Sequence, residues 1–171
     1  MAVKRMYRYQ EGAQATVGDL RLLAGLPTRK ILTLDLDVKN PEVKRREVVV
    51  VLQNPSQADA VHADYTVKHI IAFVLRKRTT PDGPLSDVRH VTIANLFTPY
   101  STDPSRLGVL VHEHGLTAVS GNEDGSSSND EIIRNRAQKV PQPADVALDG
   151  PPVHLEVVGK RLAVGISPLS D

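Results

Sequence analysis

The sequence contains no cysteine, and this absence removes several classes of chemistry. Without thiols the chain can form no disulfide framework, thiol nucleophile, iron–sulfur cluster or cysteine zinc site. A chain of 171 residues can bury roughly two-thirds of its unfolded surface, so its core needs no covalent support. Any catalysis must therefore use amides, hydroxyls, carboxylates or histidine.

Aromatic residues and long apolar runs are also scarce. Two Phe, four Tyr and no Trp make up 4% of the chain, which argues against a platform that stacks many bases. The apolar run at residues 48–52 has the length of a strand, and no apolar run approaches the ~18 residues of a membrane-spanning helix. The first residues lack the apolar segment of a secretory signal. We therefore expect a soluble, cytoplasmic protein with no membrane partner.

Neither sign of charge dominates the sequence. The 21 Lys and Arg residues are balanced by 20 Asp and Glu residues, and the net charge is +1. No overall field draws such a protein to nucleic acid or to anionic membranes. Any nucleic-acid contact must come from a local patch.

The chain shows no internal repeat and no break that would separate two domains, so we predict one domain over residues 1–171. Apolar residues within residues 16–26, followed by Gly25 and Pro27 as stop signals, predict a short helix. Strict alternation over residues 31–38 predicts a strand with one wet face. The predicted parts are an N-terminal helix and edge strand (1–46), an α/β core (47–140) and C-terminal strands (141–171).

The predicted core is a strand–helix–strand unit. Residues 47–52 are apolar without alternation, which is typical of a strand covered on both faces in a parallel sheet. An amphipathic helical stripe follows over residues 58–78, and residues 88–97 predict a second buried strand. The fold class that we predict is α/β: a small, mainly parallel sheet flanked by helices in three layers, with an N-terminal β strand or hairpin and an irregular C-terminal third.

Polar side chains are concentrated where the two buried strands end. In open α/β sheets this carboxyl edge is where ligands bind. Adjacent parallel strands would place the two loops side by side, in a pocket suited to a neutral polar ligand such as a nucleobase or sugar. The same residue types are also ordinary turn and capping residues. The predicted ligand-binding residues are Gln53, Ser56, Asn95, Thr102, Asp103 and Asn129.

Three residues are predicted to be catalytic. Asn54 would position a water or a ligand carbonyl, and Asp59 or Asp64 would act as a base or as an anchor behind it. The sequence predicts no cofactor and no metal site, since Asp35 and Asp37 are explained by the wet face of a strand.

Three motif blocks in this region resemble an uncharacterised bacterial and phage family, a domain of unknown function. The blocks are N-P-S-Q-A-D at 54–59 with D-Y-T at 64–66, N-L-F at 95–97 with S-T-D-P at 101–104, and G-N at 121–122 with N-D at 129–130. They cover roughly residues 47–131, and D-G-P-P-V-H at 149–154 is similar to the closing motif of the family. Only 18 residues (131–148) lie between the third block and that motif, where family members carry another strand and helix.

More distantly, the strand ends at Asn54 and Asn95 resemble the uracil-DNA glycosylase superfamily, particularly its mismatch-specific branch. The resemblance implies that Asn54 orients water for attack at the glycosidic carbon and that Ser56 shapes a base pocket. Such enzymes flip a base and stabilise an oxocarbenium-like state. Here Ser56 replaces a glycine of that superfamily.

The predicted function is binding of a nucleotide, nucleobase or nucleic acid at the carboxyl edge of the sheet, and glycosylase-like hydrolysis is the reaction that the second resemblance implies. The alternative is a non-catalytic binding or interaction protein, phage-encoded, that keeps the family scaffold without a complete active site. The short segment after residue 130 favours this alternative. The sequence does not indicate an oligomeric state.

Overall fold

The computed structural model describes residues 5–18, 20–37, 46–80, 83, 85–86, 88–100, 104–122, 129–138 and 164–168. The strands are β1 (Tyr7–Arg8), β2 (Gln14–Gly18), β3 (Arg21–Leu23), β4 (Leu26–Thr28), β5 (Ile31–Asp35), β6 (Arg46–Leu52), β7 (His62–Ala63), β8 (Val88–Asn95) and β9 (Val164–Pro168). The helices are α1 (Tyr65–Arg78), α2 (Pro104–His114), α3 (Leu116–Val119) and α4 (Asn129–Gln138).

The main sheet is mixed, with the strand order β2-β5-β8-β6-β9. Among the described strands of this sheet, only β6 and β8, which are joined through α1, run parallel; the other three pairings are antiparallel. Two small antiparallel sheets, β1-β7 and β3-β4, accompany it. The prediction of a mainly parallel, three-layer α/β sheet is therefore wrong. A continuous apolar run shows that both faces of β6 are covered, but it carries no information about the direction of neighbouring strands.

The predicted helix over residues 16–26 is also wrong. This segment supplies the end of β2, all of β3 and the start of β4. Positive φ at Ala24 (50°) and Gly25 (75°) reverses the chain between β3 and β4. Leu20 and Leu22 are exposed, whereas Leu23 packs on the cluster of Leu107, Leu110 and Val119, so the apolar residues do not share one buried helical face.

One face of the main sheet and the inner face of α1 form the larger core. Alternate residues of β5, β6 and β8 point to this face, where Val67, Ile71 and Val74 of α1 pack against them. The sheet residues of this core include Leu32, Leu34, Val48, Val50, Val91 and Ile93. A second cluster, with Leu107, Leu110 and Val119, packs α2 and α3 near the end of β8.

The last part of the chain contributes an edge strand. In the described segment 164–168, β9 pairs antiparallel with β6; the remainder of the predicted C-terminal strands lies outside the described residues. The division of the chain at residues 46 and 140 stays a prediction, as does a cytoplasmic location. No described helix has both the length and the apolar character needed to cross a membrane.

Candidate functional site

The loops that follow β6 and β8 begin next to each other. Beyond the regular strands, the N–H of Leu96 donates to the carbonyl of Leu52 (2.8 Å) and that of Phe97 to Gln53 (2.8 Å). Because β5 is antiparallel to β8, the amino end of β5 reaches the same edge of the sheet. This edge is the candidate functional site.

Asn95 ends β8 and is fully buried. Its side-chain Nδ2 donates to the carbonyl of Lys30 at 3.1 Å and to that of Arg29 at 3.4 Å, so it fixes the segment that leads into β5. Within the described part of the chain, its Oδ1 is buried and has no hydrogen-bond partner. Asn95 thus presents an unused acceptor at this edge.

Asn129 is the first residue of α4 and is fully buried as well. Its Nδ2 donates to the carbonyl of Asn95 and, at 3.5 Å, to that of Leu96. Its Oδ1 is a second buried acceptor without a partner among the described residues. Buried polar atoms are paired in the great majority of cases, so two unpaired amide oxygens on contacting residues are unusual.

Arg29 is the main residue of this edge that the sequence did not reveal. It is fully buried; its Nη1 donates to the carbonyl of Ala58 and its Nη2 to Ser56 Oγ at 3.4 Å. Its guanidinium lies 5.2 Å from the ring centroid of Tyr100, a cation–π contact. No described carboxylate forms an ion pair with it, and its Nε has no partner. Burial lowers the pKa of Arg29.

Two tyrosines lie beside this guanidinium. The hydroxyl of Tyr9 donates to the carbonyl of Asp59 at 2.9 Å. Burial raises the pKa of Tyr9 to about 12, although Arg29 opposes the shift, and burial also raises the pKa of Tyr100. Both phenols are therefore neutral at pH 7, and neither cancels the charge of Arg29.

Asp64 has a structural role in this geometry. Its Oδ1 accepts the N–H of Val67 at 3.0 Å and thereby caps the start of α1. Its Oδ2 accepts the N–H of Gln57 at 2.9 Å. The carboxylate ties the loop after β6 to the helix, and that role explains its position.

Asp59 organises a turn. Its Oδ1 accepts the N–H groups of Val61 (2.7 Å) and His62 (2.6 Å). Partial burial of the carboxyl raises its pKa, but these backbone donors and His62 together outweigh burial, so the pKa of Asp59 lies below its usual value. Asp59 is ionised at neutral pH and holds the turn before β7.

The remaining predicted residues occupy different positions. Ser56 joins this edge through Arg29, and its Oγ also accepts the N–H of Ala58 at 3.4 Å. Gln53 is exposed and Asn54 is half-buried. Thr102 and Asp103 lie outside the described residues.

Lys30 is a second buried cation that the sequence did not reveal. Gly121 lies so close to its side chain that an added Cβ would be 3.0 Å from Lys30 Cε. The next residue, Asn122, donates its Nδ2 to Asp130 Oδ2 at 3.1 Å and so links this turn to α4. The only sequence signal for either cation is a basic pair directly before the alternating strand β5.

Clustered metal-binding side chains are not found at this edge within the described residues. Among the described residues, no group of three His, Asp or Glu side chains could hold a metal ion. The groups at this edge are amide acceptors and cationic donors, which suit a ligand with polar hydrogens and negative charge.

Comparison with known proteins relates the chain to a protein family. Residues 31–146 match the protein family described as "Protein of unknown function (DUF1643)". No curated protein and no solved structure matches the chain significantly. The relationship to uracil-DNA glycosylases stays a prediction. Because the match spans more than half of the 171 residues, the chain belongs to the DUF1643 family.

Proposed function

We propose that the protein binds a nucleotide, free or as part of a nucleic acid, at the edge formed by the ends of β6 and β8. The observation that carries this proposal is the linked set Ser56, Arg29, Asn95 and Asn129. Its hydrogen bonds join loops that are far apart in sequence, yet among the described residues Asn95 Oδ1, Asn129 Oδ1 and Arg29 Nε are buried and have no hydrogen-bond partner. Unpaired buried groups are costly, and a ligand that pairs them would relieve that cost.

A nucleotide offers groups that are complementary to these atoms. The amino and imino N–H groups of a base are donors for the two amide oxygens. A phosphate is an acceptor for the cationic pair Arg29 and Lys30, and a guanidinium fork is well suited to its geometry. A protein with a net charge of only +1 requires such a local concentration of positive charge to attract an anion.

Binding is favoured over hydrolysis by the positions of the predicted catalytic acids. Asp64 caps α1 and Asp59 holds a turn, so the described hydrogen bonds use both carboxylates for main-chain N–H groups. Neither arrangement requires a proton to move. We therefore propose a binding site, and incubation with uracil-containing single- and double-stranded DNA, followed by a search for abasic sites, tests hydrolysis separately.

The decisive experiment is calorimetric titration with the nucleoside monophosphates of the common bases and with the matching nucleosides. We expect each preferred monophosphate to bind more tightly than its nucleoside, since only the monophosphate can pair with Arg29. Arg29→Gln should weaken monophosphate binding at least about tenfold, the effect of losing a charge-assisted hydrogen bond. Nucleoside binding should change far less.

Because Arg29 is buried, its variants need a check on folding. Arg29→Lys keeps the charge but loses the planar fork, and it should recover part of the monophosphate preference. Circular dichroism and urea unfolding establish that each variant is folded before titration. The proposal is wrong if the folded wild-type protein binds none of these ligands, or if folded Arg29→Gln retains the full preference for monophosphates.

A further inference from the structure

The outward face of α1 carries rings and cations and is opposite the face that packs on the sheet. Tyr65, Lys68, His69, Ala72 and Arg76 follow one another at helical spacing and are all exposed. These five residues are called the α1 stripe. The whole sequence of α1 contains no acidic residue, so nothing within the helix neutralises its cations. Tyr65 is 66% exposed, which leaves its ring available to a partner.

Ring contacts restrain several of these side chains. The rings of Tyr65 and His69 meet edge to face, with their centroids 4.1 Å apart. Lys68 Nζ lies 3.9 Å from the ring centroid of Tyr7 in β1. Side chains that are already restrained lose less entropy when they bind a partner.

The α1 stripe begins beside the candidate functional site, since Asp64, the cap of α1, accepts the N–H of Gln57 in the loop after β6. β1 pairs with β7, where Tyr7 is opposite Ala63, just before the cap of α1. Tyr9, which follows β1, donates to the carbonyl of Asp59 and is also near Arg29. A ligand that extends out of the site on this side would therefore meet the α1 stripe.

The chemistry of the α1 stripe fits an unpaired nucleic-acid strand. Phosphates pair with Lys68 and Arg76, and an exposed ring such as Tyr65 stacks on a base face, which a duplex keeps hidden. From Tyr65 to Arg76 the stripe is about 16 Å long at 1.5 Å per residue, enough for a short stretch of strand. We infer that the α1 stripe binds single-stranded nucleic acid whose next nucleotide enters the candidate functional site. The part of this inference that places the next nucleotide in the candidate functional site rests on the proposed function.

The test measures fluorescence anisotropy of a labelled oligothymidylate of about twelve nucleotides, with a hairpin duplex as the comparison. We expect tighter binding to the single strand and a steep dependence on salt between about 50 and 200 mM. The double variant Lys68→Gln/Arg76→Gln should reduce the slope of log affinity against log salt by about 1.4, or about 0.7 for each lost phosphate contact. Tyr65→Ala should weaken binding about 5- to 100-fold through lost stacking.

Arg134→Gln is the matched control. Arg134 is an exposed cation of α4, and α4 lies against the opposite face of the sheet through the contact between Arg136 and Glu47. It should leave both affinity and salt slope unchanged. The inference is overturned if the double variant keeps the wild-type salt slope or if the duplex binds as tightly as the single strand. It is also overturned if the protein binds vesicles of phosphatidylserine and phosphatidylcholine and does not bind the single strand.

The two proposals fail in different ways. Mononucleotide titration of the α1 stripe variants should match wild type, because the stripe is outside the candidate functional site. If mononucleotides bind but the oligonucleotide binds no more tightly, the α1 stripe has no such role. If binding of the oligonucleotide depends on the α1 stripe but no mononucleotide binds, the α1 stripe still binds single-stranded nucleic acid. The proposed function of the candidate functional site is then wrong.

Discussion

The side-chain amide of Asn129 donates to the main-chain carbonyl of Asn95, thirty-four positions earlier in the chain. The bond joins the first residue of α4 to the last residue of β8. Each of the two residues also carries a buried side-chain oxygen that has no partner within the described residues. The position of α4 and the shape of the candidate functional site therefore depend on the same contact.

Replacing Asn129 with alanine should destabilise the protein. The variant loses the donor to the carbonyl of Asn95 and leaves that carbonyl buried with less of its hydrogen-bonding capacity used. We expect the free energy of unfolding to fall by about 1–3 kcal/mol, the usual penalty for such a group. Urea unfolding followed by circular dichroism measures the change.

Asn135→Ala is the control for this substitution. Asn135 lies in the same helix but is exposed, and we expect its loss to change the free energy of unfolding by less than about 0.5 kcal/mol. Equal effects of the two substitutions would show that the bond between Asn129 and Asn95 does not stabilise the fold.

Gly121→Ala should also destabilise the protein, for a steric reason. Gly121 has φ +74°, and an added Cβ would lie 2.6 Å from Thr98 Cγ2 and 3.0 Å from Lys30 Cε. Both the backbone conformation and the contact oppose a side chain, so we expect a loss of more than about 1 kcal/mol in the free energy of unfolding. The drop in melting temperature provides the measurement.

Gly108→Ala is the same chemical change, but we expect it to raise the free energy of unfolding. Gly108 lies within α2, and an added Cβ would meet no heavy atom within 4 Å. Alanine should stabilise the helix by about 0.5–1 kcal/mol. If both glycine substitutions shift stability in the same direction, the clash at Gly121 is not the controlling factor.

The sequence predicted those elements in which burial determines the spacing of apolar residues. The apolar run of β6 follows from burial of both faces and the helical stripe of α1 from burial of one face. Both could be recognised, although the predicted helix starts at residue 58 and α1 starts at Tyr65. Residues 98–121 read as loop-rich, with a short helix able to start at Ser105, whereas the structure has α2 and α3 there. Packing of Leu107 and Leu110 on Val119 stabilises these helices, and such tertiary contacts are not visible in a local pattern.

The candidate functional site was only partly predictable. Asn95 and Ser56 could be nominated because polar residues at strand ends are a local signal. Arg29 could not, because a charged residue before a strand is normally solvated. Its burial depends on Ala58 and Tyr100, which are distant in sequence and approach only in the folded chain.

Substitutions of Glu47 and Arg136 should have coupled effects on the free energy of unfolding in a double-mutant cycle. Glu47 in β6 is buried, and Arg136 Nη1 donates to its Oε1 at 2.6 Å. Thr92 Oγ1 donates to the same oxygen. Arg136→Gln should lower the free energy of unfolding by about 1–3 kcal/mol, below the full penalty for a buried pair because Arg136 is partly exposed.

The cycle is completed by Glu47→Gln and the double variant Glu47→Gln/Arg136→Gln. Removing both charges leaves no buried carboxylate without its cation, so the double variant should be less destabilised than the sum of the single variants. We expect a coupling of about 1 kcal/mol, measured by urea unfolding. Strictly additive effects would show that α4 gains nothing from this ion pair.

Ionisation of the Tyr9 phenol should make the protein less stable at alkaline pH. Burial raises the pKa of its phenol from 10.0 to about 12, so above pH 10 the unfolded chain loses this proton while the folded protein keeps it. The stabilisation is complete below pH 10 and disappears as the pH rises to 12. Thermal unfolding of wild type and Tyr9→Phe across this range should show the wild-type advantage shrinking by about 1 kcal/mol, a value reduced for solvent screening of the partly exposed ring. Tyr65→Phe, which removes an exposed hydroxyl, should follow wild type; a wild-type advantage over Tyr9→Phe that is constant with pH would contradict the assignment.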